Sequence, residues 1–262
     1  MIKQAYMDEL SFDDIEKNID KYFSLFLKYG LVCFRRSFFD IFEQEKITKL
    51  FAKKLNCNYI SPQDNEDHSF TFDKNIKLMS KNEIFIPWHL EHLKKEHPQV
   101  AASWNMLSFE CETGVGNTGF VSAIDLYNKM PVEWKSFLDV CDVMTEGVYI
   151  LPRKCIQNHR IKDEKIIRLS PNYPIYEDVL YSVNKEHPSK KDIKLFNEIV
   201  VWYKEQVEDN VNIQNWWEWS NGDLLIVDLS YMIHAVKGGF TPGQRIFSRY
   251  WIFVNETDYT LG

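Results

Sequence analysis

Two histidines and a glutamate constrain this chain more than any other set of its residues. His89 and Glu91 stand in Pro87-Trp88-His89-Leu90-Glu91. In extended backbone, residues i and i+2 point to the same side, so an imidazole and a carboxylate converge on one spot. A second imidazole, His234, ends the stretch Ser230-Tyr231-Met232-Ile233-His234, which follows the apolar run Leu224-Leu225-Ile226-Val227. A fold that joins the two stretches puts two imidazoles and one carboxylate on one face of a metal, the donor set of non-haem Fe(II) sites with positions left open. Taken alone, residues 89–97 also read as a solvated helix with His92 and His97 facing water, and His234 also reads as a core histidine. Zinc competes for such ligands, but H-E-x-x-H is absent and the cysteines lack zinc spacing.

The end of the chain adds an anion requirement. Arg245 to Val254 reads as a long strand, in which Arg245, Phe247, Arg249, Trp251 and Phe253 share a face. Arginines on an aromatic face need an anion or acidic side chains opposite them. Four residues apart in a strand is about 13 Å, so the pair suits the two ends of a small dianion better than one carboxylate. Two structural salt bridges are the competing reading.

The rest of the chain alternates helices and short strands. Ser11 caps a helix in which Phe12, Ile15, Ile19, Tyr22, Phe23 and Phe26 recur at helical spacing, and Gly30 stops it. Leu31 to Phe34 reads as a buried strand, and Ile41 to Leu55 as a second helix. Residues 59–85 have no clear period. A strand over Ala101 to Glu110 leads through a glycine-rich turn to Thr118; with no G-K-[ST] present, the turn is not a P-loop. Ser122 caps a helix that Pro131 restarts. Val143 to Leu151 and Lys165 to Leu169 are strand candidates joined by a basic connector. Ser189, with Asp192 three later, opens a further helix. Trp216, Trp217 and Trp219 precede Asn221-Gly222-Asp223 and read as strand, tight turn, strand, the tryptophans serving mainly as core.

With 262 residues, 45% of them hydrophobic, the chain suits one folded domain spanning 1–262. Its net charge of −7 is a poor match for nucleic acid or an anionic membrane. No apolar run is long enough to span a bilayer. The N-terminus is too polar for a signal peptide, and five scattered cysteines suit reduced thiols. The expectation is a cytoplasmic protein acting on a small-molecule substrate, of unspecified oligomeric state.

In order and spacing, Trp88-His89-Leu90-Glu91, Gly116-Asn117-Thr118, Gly222-Asp223, His234, Arg245 and Arg249 resemble the TauD/TfdA-like group of Fe(II)/2-oxoglutarate-dependent dioxygenases, within the wider clavaminate-synthase-like enzymes. The resemblance runs from about Gly30 to about Val254. One position departs: the family usually has Asp where this chain has Glu91, although some amino-acid hydroxylases of the wider group carry Glu. The resemblance implies a mainly β fold with flanking helices, a double-stranded β-helix or jelly roll, with the helices on one side. It implies Fe(II) held by His89, Glu91 and His234, with 2-oxoglutarate and O₂ in the open positions. Thr118 and Arg245 are then expected to hold the distal carboxylate of 2-oxoglutarate. Arg249 is expected near its metal-side carboxylate and an anionic group of the substrate. The segment before His89 is expected to wall the substrate pocket, which makes His68, Phe70 and Phe72 substrate candidates. The implied reaction releases succinate and CO₂ and hydroxylates a small polar molecule such as an amino acid. Desaturation or cyclisation, and a non-catalytic jelly-roll binding module, are the alternatives.

Overall fold

The computed structural model describes residues 6–57, 59–62, 86–91, 99–144, 152–169, 171, 180–241 and 243–254. Six strands form the larger sheet: β1 (Tyr6–Asp8), β2 (Leu31–Arg35), β3 (Tyr59–Pro62), β5 (Gln99–Phe109), β13 (Leu224–Asp228) and β15 (Arg245–Phe253), in the order β1-β2-β13-β5-β15-β3. A second sheet has the order β12-β6-β14-β4, from β4 (Ile86–His89), β6 (Thr118–Ser122), β12 (Asn215–Trp217) and β14 (Met232–Val236). β7 (Cys141–Met144), β8 (Pro152–Lys154) and β11 (Leu180–Val183) make a third sheet. β9 (Ile156–Asn158) and β10 (Lys165–Ile167) form a two-stranded ladder.

Alternation explains how the larger sheet is covered on both faces. Leu31 and Cys33 of β2, with Leu225 and Val227 of β13, join the core that also holds Trp104, Phe120 and Met232, between the two main sheets. Their neighbours Val32, Phe34, Leu224 and Ile226 face the other way. That outer face is buried by α1 (Phe12–Lys17), α2 (Ile19–Tyr29) and α3 (Ile41–Lys54), through Ile15, Tyr22, Phe26, Ile47 and Phe51. The helices α4 (Ala123–Lys129), α5 (Val132–Asp139) and α6 (Lys190–Glu208) pack instead with the inter-sheet core, through Ile124, Leu126, Leu138, Phe196, Ile199 and Tyr203. The expectation of helices on one side is therefore corrected: they form two groups, one on the outer face of the larger sheet and one against β7, β10 and β11.

Three local readings also change. The helix expected from Phe12 to Tyr29 breaks at Asn18, which closes α1 with its backbone N–H on Asp14 and Ile15 and opens α2. The basic connector at residues 152–162 contains β8 and β9. The turn at Asn221-Gly222-Asp223 does not make a hairpin, since β12 and β13 belong to different sheets. Gly222 has φ +78°, and a Cβ there would meet the Phe38 ring at 2.7 Å, so only glycine fits the crossing.

A buried polar tie steadies the turn before β14. His159 Nδ1 accepts from the Ile161 and Lys162 N–H groups, at 3.1 and 3.0 Å. Its Nε2 therefore carries the proton and donates to Asp228 Oδ2 at 2.9 Å. Asp228 also accepts from the Ser230 N–H at 3.0 Å. The loop after β9 is thus fastened to the start of the segment that delivers His234.

Candidate metal centre and anion pocket

β4 and β14 are antiparallel neighbours, and their register sets His89 opposite His234. The rings lie side by side, with centroids 4.2 Å apart. Trp88, between the positions of Pro87 and His89, points away and packs on Trp216, 5.2 Å between centroids. Glu91 stands just past the end of β4, in a turn. Its Oε1 is 4.0 Å from His89 Nε2 and 3.7 Å from His234 Nε2. These spacings exceed a hydrogen bond, yet one donor atom from each residue lies within 4.8 Å of the others, and the three could hold a metal ion together. No other such group of three occurs among the described residues.

Both imidazoles are turned the same way by their own backbone. His89 Nδ1 is 2.8 Å from the Pro87 carbonyl, and His234 Nδ1 is 3.3 Å from the Met232 carbonyl. A carbonyl only accepts, so each Nδ1 carries the proton and each Nε2 keeps its lone pair toward Glu91. Burial, with His234 beside it, pushes the His89 imidazole down to about 4, against the pull of Glu91 and the Pro87 carbonyl. A neutral imidazole at neutral pH is the ligating form. Two imidazole nitrogens and one carboxylate, with no thiolate in the set, fit Fe(II).

Arg249 links this centre to the aromatic strand. Its Nη1 is 3.8 Å from Glu91 Oε1, and the guanidinium lies over the Phe247 and Trp251 rings, 5.4 and 4.7 Å from their centroids. Further along β15, Arg245 is 6% exposed and its Nη2 donates to Thr118 Oγ1 at 3.1 Å. Trp219 Nε1 donates to the same oxygen at 2.9 Å. With both lone pairs engaged, the Thr118 hydroxyl has only its proton left to offer, to an acceptor. The turn before Thr118 is held by two backbone bonds, Gly116 N–H to the Lys237 carbonyl and Lys237 N–H to the Asn117 carbonyl, at 3.1 and 2.9 Å. Gly116 has φ +68°, and a Cβ would meet Cys111 Sγ at 2.9 Å, so this turn too requires glycine.

Six of the residues read from the sequence thus gather in two groups: His89, Glu91, His234 and Arg249 at one end, Thr118 and Arg245 at the other. His68, Phe70 and Phe72, and likewise His92 and His97, lie outside the described residues. Sequence alone assigns Trp219 to the core; it is buried, and its indole N–H also orients Thr118. The sequence carries one hint of this, since a buried indole N–H requires an acceptor.

The family model for taurine catabolism dioxygenase TauD, TfdA family, matches residues 6–251. A comparison with curated proteins found no match. Among solved structures, AAD-2 in complex with Mn(II) and N-oxalylglycine superposes with a TM-score of 0.64 at 13% identity, covering 96% of this chain and 94% of that one. A taurine dioxygenase from Burkholderia xenovorans gives a TM-score of 0.60 at 13% identity, covering 94% of this chain and 82% of that one. At such identities the likeness is one of fold. The family match takes in nearly the whole chain, and the donor set at its centre fits the chemistry: this chain belongs to the TauD/TfdA dioxygenase family, and is an Fe(II)- and 2-oxoglutarate-dependent oxygenase.

Proposed function

We propose that the chain hydroxylates a small polar metabolite, such as an amino acid, while 2-oxoglutarate is converted to succinate and CO₂. The observation that carries this reading is the approach of His89, Glu91 and His234 within 4.8 Å of one another, with the Arg249 guanidinium 3.8 Å from Glu91. In this account His89 Nε2, Glu91 and His234 Nε2 hold the iron. When bound, the iron supplies activation of O₂, coupled to decarboxylation of 2-oxoglutarate. Arg245 and the Thr118 hydroxyl grip the distal carboxylate with charge-assisted hydrogen bonds. Arg249 presents positive charge at the metal end, where it neutralises Glu91 and attracts a substrate carboxylate; this is what supports an amino acid. His68 and Phe70 are proposed as substrate-wall residues on the resemblance alone.

The solved fold with Mn(II) and N-oxalylglycine supports a divalent ion in this pocket. The six- and four-stranded sheets, facing each other across Trp104 and Phe120, support a double-stranded β-helix. The shared strands β2, β5, β13 and β15 support a single domain, and four buried cysteines out of five free ones support a reducing compartment, the cytoplasm. The test is succinate release by the purified protein with Fe(II), 2-oxoglutarate and a panel of amino acids. Release stimulated by one amino acid, with a product heavier by one oxygen, is the expected result. Stimulation by no amino acid would remove the amino-acid reading.

A further inference from the structure

Among the described residues, Trp104 and Trp217 each bring a buried indole N–H without a hydrogen-bond partner into the inter-sheet core, and of the two Trp104 stacks on Phe120 beside His234. Trp104, on β5, is 5% exposed. Its ring stacks on Phe120, with centroids 6.0 Å apart and planes 20° apart, and lies 5.4 Å from the His234 ring. The side chain therefore enters the space between the sheets, where the two site groups lie. Its Nε1 is buried and has no hydrogen-bond partner among the described residues. Trp219, by contrast, spends its N–H on Thr118.

The position of this donor narrows what it serves. Thr118 and Phe120 are two apart on β6, and Phe120 is the cross-strand partner of His234. Trp104 is the cross-strand partner of Arg249 on β15. The indole thus sits between the Thr118–Arg245 end and the metal end. An unpaired buried donor loses its hydration without a replacement bond, which destabilises the fold. A phenylalanine would keep the stack on Phe120 without that cost, so the N–H is retained for an acceptor that enters the pocket. The acceptor must reach from Arg245 toward the metal, which is the span the two arginines already assign to a dicarboxylate.

We propose that Trp104 Nε1–H donates a hydrogen bond to the keto-acid end of bound 2-oxoglutarate, which makes Trp104 a further co-substrate-binding residue beside Thr118, Arg245 and Arg249. The proposal rests on the reading of that pocket given above. Its tests use binding, with no turnover. In titrations of the Mn(II)-loaded protein, Trp104→Phe leaves Mn(II) affinity near wild type and the thermal midpoint no lower than wild type, and weakens 2-oxoglutarate about tenfold, the loss of one hydrogen bond to a charged group. In the diamagnetic Zn(II) form with ¹⁵N-labelled tryptophan, the indole resonance missing from Trp104→Phe moves downfield when 2-oxoglutarate is added to wild type. Wild type that binds 2-oxoglutarate, with a variant that binds it within twofold as well or an indole resonance that stays in place, overturns the proposal alone. Wild type that binds no 2-oxoglutarate overturns the pocket reading, and this proposal with it. If Trp104→Phe does not fold, the wild-type resonance, assigned through its proximity to Phe120, decides.

Discussion

Thr118 shows how much one side chain can be committed by its neighbours. Its oxygen already accepts from Arg245 and Trp219, so the hydroxyl proton is the only part free to act. Thr118→Val keeps the shape and removes that proton. Binding of 2-oxoglutarate to the Mn(II) protein should weaken by about tenfold or more, while Mn(II) binding stays near wild type. The same change leaves the buried Trp219 N–H without its acceptor, so a stability loss of about 1–3 kcal/mol should appear in denaturant titration. At this scale the sequence was informative for His89, Glu91, His234, Arg245 and Thr118, because each belongs to a spaced pattern of chemistry-bearing residues. Trp104 and Trp219 were not legible as site residues. An aromatic side chain reads as core until its N–H is seen to have, or to lack, an acceptor.

Elements position the site, and their ends carry measurable energy. The longest helix, α6, starts with a capping box in which the Ser189 side chain accepts from Asp192 N–H, and Asp192 caps the Ser189 N–H in return. Ser189→Ala should lower stability by about 1 kcal/mol. The Ser189 hydroxyl and N–H hold the Asp192 carboxyl below its usual 3.8. A depressed carboxyl stabilises the fold above the unfolded value, and that contribution fades as pH falls through the lower folded value. The gap in thermal midpoint between wild type and Asp192→Asn should therefore be level near neutrality and close below about pH 4. On β6, a Cβ at Gly119 would meet Trp88 at 2.5 Å and Trp216 at 2.9 Å. Gly119→Ala should be destabilising by about 1–3 kcal/mol through overpacking, and should weaken Mn(II) binding, since Trp88 adjoins His89. Caps, long strands and the larger helices were readable because their signals are local. The break at Asn18 and the sheet change at Gly222 were not, since each depends on which layer the next segment joins.

Over the whole molecule, the site is a product of long-range pairing. β2 pairs with β13, and β5 with β15, so the two ends of the chain meet in one sheet. His89 and His234 meet only when β4 and β14 align in the other. Metal binding should therefore stabilise the entire fold: at about 100 times Kd, the gain is about 2.7 kcal/mol, or a rise of about 5–10 °C in thermal midpoint. The mainly β class was legible through the resemblance that the spaced site residues carry, but the division of the helices into two groups was not, because helical periodicity marks an apolar face without naming the sheet it covers.

Three side chains from two distant stretches grip one ion, and calorimetric titration of the apo-protein with Mn(II) puts this to the test. Wild type should take up one ion per chain, and affinity should fall by at least about 100-fold in His89→Ala, Glu91→Ala and His234→Ala alike, each remaining folded. Wild type that takes up no ion, or variants that bind as wild type does, would contradict it.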